Sequence, residues 1–447
     1  MYMIRHGNSD GNKMGIIQWE ISNPWLSEEW KEHVQKLSAT FDKNVSTIRC
    51  SDLKRAIETA VFFCMSKQIP IVIHNELREF GSWILQWLSH KEAEEKYPQA
   101  YAIWKQRWDL DWIPWAETWN ELQARVLSFL LQYVGKDSYN ELLVSHAGYL
   151  RCLINTISFR DRTTPIDVSH NTIHEMDNIL SNIHFTPHGS GEKSKTYKVQ
   201  TFDNTYFIKQ TYWWSFDTML IKKNIIAHIN KYSPMAPQIY FSSEKEWEYG
   251  KLVIEIMQYL NWEHVTWDML PEKKDMISNF FKQLSAHLYV YYSSHEIAHL
   301  PKLKDKLAHG LQHIVDLDLP GVDQIMQFLE QNVPTQSLIY YDIHRQNLLF
   351  SQEKMYIVDM DSLLIWPKGF QLACLANFFA FEWITVDIES LIANRWEDVD
   401  AHTIKILMKA RCLIGIIFFA KKLKVDSTPQ DQSYLDRYIK TYSSIKI

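Results

Sequence analysis

The sequence predicts a two-part α/β protein: a parallel sheet wrapped by helices, then a small antiparallel lobe joined to a helical lobe. Three observations carry this. The 447 residues exceed what one ordinary core holds and suit two, at most three, domains. Over residues 1–180, short apolar runs alternate with helix-length amphipathic stretches. From Ile183 the texture changes to strand-like runs in quick succession, followed by a long helical remainder.

In the first part the strand-like runs are Tyr2–Ile4, Thr47–Cys50, Ile69–Ile73 and Leu142–Val144. Glu28–Phe41, Leu53–Ser66 and Thr118–Val134 between them carry helical periodicity. In the second part Ile183–Thr186, Thr196–Thr201, Tyr206–Gln210 and Leu252–Met257 read as strands. Cys412–Ala420 is the longest apolar run, too short for the ~20 residues a bilayer needs, and reads as a buried helix. The boundary is expected near residue 180, giving domains 1–180 and 181–447, the latter with lobes of about 181–260 and 261–447.

A formal charge of −6 lacks the basic face a nucleic-acid binder needs, so no nucleic-acid partner is expected. Five widely spaced cysteines without a CxxC fit reduced thiols. The opening Met-Tyr-Met-Ile-Arg-His reaches charge too soon for a signal-peptide core. These features predict a cytoplasmic protein with no membrane partner; oligomeric state is left open.

Four motifs occur in order along the first part, the first, second and fourth at strand ends. They are Arg5-His6-Gly7 with Ser9 and Asn12; Ser51-Asp52-Leu53-Lys54-Arg55-Ala56 with Thr59-Ala60; Glu76-Leu77-Arg78-Glu79-Phe80-Gly81; and Ser145-His146-Ala147-Gly148. A neutral imidazole attacks phosphorus well. Two arginines and a second histidine neutralise a phosphate and its transition state. A carboxylic acid protonates the leaving alkoxide. Together these residue types make up a complete phosphohydrolase site.

The set resembles the histidine phosphatase superfamily, the broad group that includes phosphoglycerate mutases. Glu117-Thr118 with Glu121 and Arg125 resembles a further family helix start. The resemblance implies a three-layer α/β/α fold with His6 as the phosphorylated nucleophile. It implies that Arg5, Arg55 and His146 cradle the phosphate, with Asn12 binding it too. Glu79 is the implied acid and Glu76 the fallback, because only Phe80 separates Glu79 from Gly81 where the family usually has three residues. No cofactor beyond phospho-His6 is expected. Seven tryptophans from Trp83 to Trp119 fall where this family places its substrate-covering segment. They are read either as helix packing or as an aromatic pocket formed by Trp104, Trp108, Trp112 or Trp115.

The second part carries Asp342-Ile343-His344-Arg345-Gln346-Asn347, then Asp359-Met360-Asp361 after a strand-turn-strand. Such spacing suits phosphoryl transfer: the first Asp takes the acceptor hydroxyl's proton, and the Asn and later Asp offer oxygens to Mg²⁺. Upstream, His188-Gly189-Ser190-Gly191 reads as a turn able to fold over phosphates. Lys209 ends a strand, and Leu252–Met257 reads as a hinge for an adenine edge, through Glu255 and Met257. This set resembles the aminoglycoside phosphotransferase and choline kinase superfamily, which implies a bilobal, protein-kinase-like α+β fold. It implies that Asp342 is the base, that Asn347 and Asp359 hold magnesium with Asp361 assisting, and that Lys209 meets the phosphates of ATP or GTP. The family's usual His and Gly before the base are Tyr340 and Tyr341 here, and no glutamate occurs from Lys193 to Ser243 to pair with Lys209.

The expectation is therefore a bifunctional phosphatase and kinase acting on small molecules, a phosphate monoester and an alcohol. Antibiotic or other secondary-metabolite pathways fit it. The alternatives are an active phosphatase with a degenerate, ligand-sensing kinase-like domain, or a salvage kinase for a choline- or thiamine-like alcohol.

Overall fold

The computed structural model describes the chain except residues 19–22, 107–110, 112, 115, 137–139, 171, 177–179, 192–193, 213–215, 248–249, 262, 267, 296–299, 301, 332–335, 352, 368, 383, 385–387, 394–398 and 426–427. The fold is mixed α/β, and its contacts divide into two compact units. One comprises 1–214 with 239–259, the other 215–238 with 260–447.

The first unit opens with strands β1 (Tyr2–Arg5), β2 (Thr47–Ser51), β3 (Ile71–His74), β4 (Glu141–Ser145) and β5 (Ile173–Glu175). They form one sheet in the order β3-β2-β4-β1-β5. The first four are parallel, and β5 runs antiparallel along β1. Side chains alternate across the sheet, so neighbouring residues feed different cores. Ile4, Ile48, Cys50, Leu142 and Val144 pack with Val34, Ala60 and Phe63 from helices Glu28–Thr40 and Lys54–Lys67, and with Phe41, which caps the first of them. Met3 and Leu143 point the other way, into helices Trp119–Leu130 and Ala147–Ile157. The expected three layers are present. The short strand β5 had no signal in the sequence beyond Ile173.

That second core does not stop near residue 180. Strands β6 (Phe185–Gly191), β7 (Ser194–Gln200), β8 (Thr205–Tyr212), β9 (Ile239–Trp247) and β10 (Gly250–Gln258) form an antiparallel sheet in the order β6-β7-β8-β10-β9. Its Val199, Tyr206, Ile208, Leu252, Ile254 and Ile256 join the same apolar cluster as Leu122, Val126 and Leu130 of helix Trp119–Leu130. Every residue from Leu122 to Leu130 of that helix is buried. A helix buried on all sides needs apolar cover on both, and here it lies between two sheets. Its buried polar groups are met in kind. Gln123 donates to Thr156 Oγ1 (3.1 Å) and accepts from Tyr206 OH (2.7 Å) and Thr201 Oγ1 (3.1 Å). Packing thus ties this sheet to the N-terminal layers, whereas the sequence texture placed a boundary between them.

The second unit is mainly helical. Phe216–Tyr232, Leu270–Ser294, Phe370–Phe381, Ala401–Val425 and Pro429–Ser444 are its longer helices. Cys412–Ala420 lies within Ala401–Val425. Strands β11 (Glu263–His264), β13 (Leu348–Ser351) and β14 (Lys354–Ile357) form one small sheet. Strands β12 (Gln336–Tyr340) and β15 (Leu363–Pro367) form another. Among the described residues no helix is long and apolar enough to cross a membrane.

Candidate active sites

Strands β1 and β4 are parallel neighbours, with Arg5 opposite Ser145. Whatever follows each strand must therefore meet at the sheet's C-terminal edge. His6 N–H donates to the Ser145 carbonyl at 2.9 Å, and the His6 and His146 rings lie 4.8 Å apart. Arg55 stands in the first turn of the helix after β2, beside β4. Its Nε donates to His6 Nε2 at 3.2 Å. His6 Nδ1 lies 2.7 Å from the Gly7 carbonyl, which can only accept, so Nδ1 carries the proton and Nε2 the lone pair. The ring is thereby fixed in one tautomer, with its lone-pair nitrogen turned to the arginine.

Burial, then the charges of Arg55, His146 and Arg5, hold the His6 pKa well below the ordinary histidine value. Burial, Arg55 and Arg5 do the same to His146. Both imidazoles are neutral at pH 7. Burial also draws the Arg55 guanidinium down to about 10, with Glu79 opposing and Arg5 adding to the fall. Both ring nitrogens of His146 and Nη1 of Arg55 are buried without a hydrogen-bond partner. Orphaned donors are costly in a native interior and mark where a ligand sits. The Arg55 Nη1 donor and the single N–H of a neutral His146 suit a phosphoryl group.

Arg5, His6, Asn12, Arg55 and Glu79 line one cavity of about 400 Å³. Asn12 is held by a capping box: its Oδ1 accepts from Ser9 N (3.2 Å) and Ser9 Oγ (2.9 Å). Glu79 Oε1 accepts from the backbone of Phe80 and Tyr149, each at 3.1 Å. A Cβ on Gly148 would stand 2.6 Å from that same oxygen, so this glycine lets the carboxylate approach. Glu76, the fallback, is not among the cavity's lining residues. Its carboxylate accepts from Ser128 Oγ at 2.5 Å and pairs with Lys245 at 3.1 Å.

Sequence reading noted Glu117 and Arg125 only as a family helix start. They form a bidentate pair, Nε–Oε1 2.8 Å and Nη2–Oε2 2.7 Å. Arg125 also donates to the carbonyls of Glu76 (2.8 Å), Arg78 (2.7 Å) and Glu79 (3.4 Å), clamping this segment. His170, which had no signal in the sequence, sets Nδ1 2.6 Å from the His6 carbonyl. Of the tryptophans, Trp104 and Trp119 line the cavity, and Trp104 stacks on Tyr101 with centroids 5.9 Å apart. Trp108, Trp112 and Trp115 lie outside the described residues.

The model of the Histidine phosphatase superfamily (branch 1) matches residues 1–176. These residues carry the histidine phosphatase fold. The chain is 28% identical over 158 residues to the adenosylcobalamin/alpha-ribazole phosphatase of Escherichia coli K12, covering 34% of this chain and 76% of that protein. It is 29% identical over 157 residues to phosphoglycerate mutase-like protein 4 of Arabidopsis thaliana, covering 34% and 67%. A solved amicoumacin kinase, in complex with AMP-PNP, Ca²⁺ and Ami, superposes with a TM-score of 0.46 and 11% identity, covering 58% of this chain and 87% of that one.

Two deeply buried neutral histidines give the N-terminal layers a pH-dependent stability. An unfolded chain takes up protons at both as pH falls below about 6.5, while the folded chain does not. Each depressed pKa therefore makes folding stability fall with pH, by about 1.4 kcal/mol per unit per histidine once below 6.5. Urea midpoints at pH 7.5 and 5.5 are expected to show this loss, and His146→Gln to reduce the slope.

Downstream, the expected nucleotide residues all lie on the antiparallel sheet, in forms that differ from the sequence reading. Gly189, Ser190 and Gly191 end strand β6, paired with Thr196, Lys195 and Ser194, instead of forming a turn. Residues 192–193, between the two strands, lie outside the described residues. Leu252–Met257 is no hinge. It belongs to β10, a central strand whose backbone is paired on one side with β8 and on the other with β9. Lys209 stands on β8 directly opposite Glu255, which is buried.

In the helical unit, Tyr340 takes the part of a brace. Its buried hydroxyl donates to the Asp342 carbonyl (3.0 Å) and accepts from Asn347 Nδ2 (2.9 Å), which also reaches that carbonyl (3.1 Å). Gln371 clasps the Tyr340 backbone at both N–H (3.0 Å) and carbonyl (2.7 Å). Val358 N–H donates to the Asn347 carbonyl at 3.0 Å, which sets Asp359 beside Asn347; Asp359 itself adopts the left-handed conformation, φ +58°. Asp342 faces a cavity of about 1010 Å³, with Lys306, Glu382 and Arg411 also in its wall. Burial raises the Asp342 pKa, yet the net shift is downward because His344 (Nε2 3.6 Å from Oδ2), Arg411 and Lys306 favour the carboxylate. Asp361 is engaged by Lys222 Nζ at 2.6 Å.

Proposed function

We propose that the N-terminal layers hydrolyse small-molecule phosphate monoesters through phospho-His6. The carrying observation is the neutral His6 ring, its Nε2 turned to Arg55 amid the orphaned donors of His146 and Arg55. Nε2 attacks phosphorus, the bond to the leaving oxygen breaks, and Glu79 gives that oxygen its proton. Water then takes the phosphoryl group from His6, with Glu79 as base. Arg5, Arg55, His146 and Asn12 hold the phosphate throughout. Trp104 and Trp119 in the same cavity favour a leaving group with a ring or other apolar face. The named activities of the relatives, a ribazole phosphatase and a mutase-like protein, support a phosphoryl-handling reading without fixing the substrate.

We further propose that the chain is bifunctional, phosphorylating a small-molecule hydroxyl with Asp342 as base. An ionised Asp342 at the wall of a large cavity supports this. Asn347 and Asp359, brought together by the Val358–Asn347 hydrogen bond, offer the hard oxygen donors Mg²⁺ takes, and magnesium would supply charge neutralisation for the ATP or GTP phosphates. Asp361, committed to Lys222, favours a positioning part instead of a metal ligand. A second reading, a ligand-sensing domain without catalysis, is favoured by the fully paired backbone of β10 where the sequence suggested a hinge.

The test is a paired screen of the wild type, His6→Ala and Asp342→Asn. Phosphate release is followed from a panel of monoesters, and Mg²⁺-dependent ATP or GTP consumption from a panel of alcohols. Each activity is expected to vanish only with its own substitution. Monoester hydrolysis with no nucleotide consumption for any acceptor would leave the sensing reading.

A further inference from the structure

We propose that Lys245, on strand β9 and well outside residues 1–176, is a positioning residue for the phosphatase's acid. The inference rests on the reading of Glu79 as that acid.

Glu76 is only 4% exposed. One carboxylate oxygen accepts from Ser128 Oγ at 2.5 Å, and the other pairs with Lys245 Nζ at 3.1 Å. Lys245 also donates to the Ser128 carbonyl at 3.3 Å, and Ser243 Oγ lies 3.4 Å from Ser128 Oγ. The second sheet thus supplies the counter-charge of a buried carboxylate in the turn that follows β3 of the first. Removing one partner of such a pair leaves the other uncompensated, and its segment must move to hydrate or neutralise it. That segment is the one that bears the acid. Arg125 binds the carbonyls of residues 76, 78 and 79 together, so a shift at Glu76 is passed to Glu79. Displacing a catalytic group by about 1 Å costs up to about 10²-fold in rate.

Proton donation matters in proportion to the basicity of the leaving oxygen. A misplaced Glu79 therefore slows release of an alkoxide and spares release of p-nitrophenolate, which departs without a proton. General loss of structure would slow both alike. In the full chain, Lys245→Met is expected to lower kcat/KM, which reports the steps up to phospho-His6 and not its later hydrolysis, about tenfold for an alkyl phosphate and less than twofold for p-nitrophenyl phosphate. Lys245→Arg, which keeps the charge, is expected to restore the alkyl phosphate rate. Glu79→Gln in parallel is expected to show the same selectivity more strongly. Equal slowing of both substrates by Lys245→Met, or no slowing of either, overturns the positioning role while a selective Glu79→Gln leaves the acid assignment standing. A Glu79→Gln variant without leaving-group selectivity overturns the acid assignment, and the Lys245 proposal with it.

Discussion

Replacing His6 with alanine is expected to lower phosphate-monoester hydrolysis by roughly 10³-fold or more, because the variant has no atom to carry the phosphoryl group. No neighbour can take over. His146 is 4.8 Å away, ring to ring, but follows a different strand on the parallel sheet, so it does not occupy the same line of attack. Rapid-quench experiments should find acid-labile phosphate on the wild type and none on His6→Ala. Fold and binding should survive, since the ring lines a cavity and its removal leaves Arg5, Arg55 and Asn12 in place. The pH profile adds a check. A nucleophile works unprotonated, so a lowered pKa moves the acid limb of its activity downward. Since the His6 pKa lies well below the ordinary value, the limb it causes should lie below about 6.5. An inflection that tracks an ordinary histidine and disappears in another variant would point to a different nucleophile.

The first four strands and the order of the site motifs were legible in the sequence because each motif follows the apolar run that positions it. Arg5-His6 after β1 and Ser145-His146 after β4 needed only the adjacency of two parallel strands to become one site. The choice between Glu76 and Glu79 was not legible. Both lie four residues or fewer from Leu77's buried side chain, and only the cavity on one side and Lys245 on the other tell them apart. Long-range partners of this kind leave no periodic trace. The same holds for the division of the chain. Helix Trp119–Leu130 carries polar residues at Gln123, Arg125 and Ser128 that read as a wet face, yet each is buried and paired. Its second apolar neighbour, the sheet from Phe185 onward, is separated by more than fifty residues. Texture therefore marked a boundary where packing makes a continuous core. Tyr340 was read as a departure from a motif. Its hydroxyl braces Asp342 and Asn347 as a hydrogen-bonding side chain of another type would.

Asp342→Asn is expected to lower acceptor-dependent ATP or GTP consumption about 10²- to 10⁴-fold, the usual worth of a positioned general base. The substitution keeps the shape of the side chain and removes its charge. It also leaves intact the backbone carbonyl that Tyr340 and Asn347 hold, so the loop should stay in place. KM for nucleotide should change little, and kcat should carry the loss. Phosphate-monoester hydrolysis should be unaffected, because no residue of the His6 cavity belongs to the helical unit. Tyr340→Phe supplies the contrast. It removes the hydroxyl that joins Asp342 to Asn347 and keeps the carboxylate, so it should weaken the magnesium dependence before it abolishes transfer. If Asp342→Asn consumed nucleotide with acceptor as fast as the wild type, the carboxylate at the cavity wall would not be the base, and transfer in the helical unit would run without it.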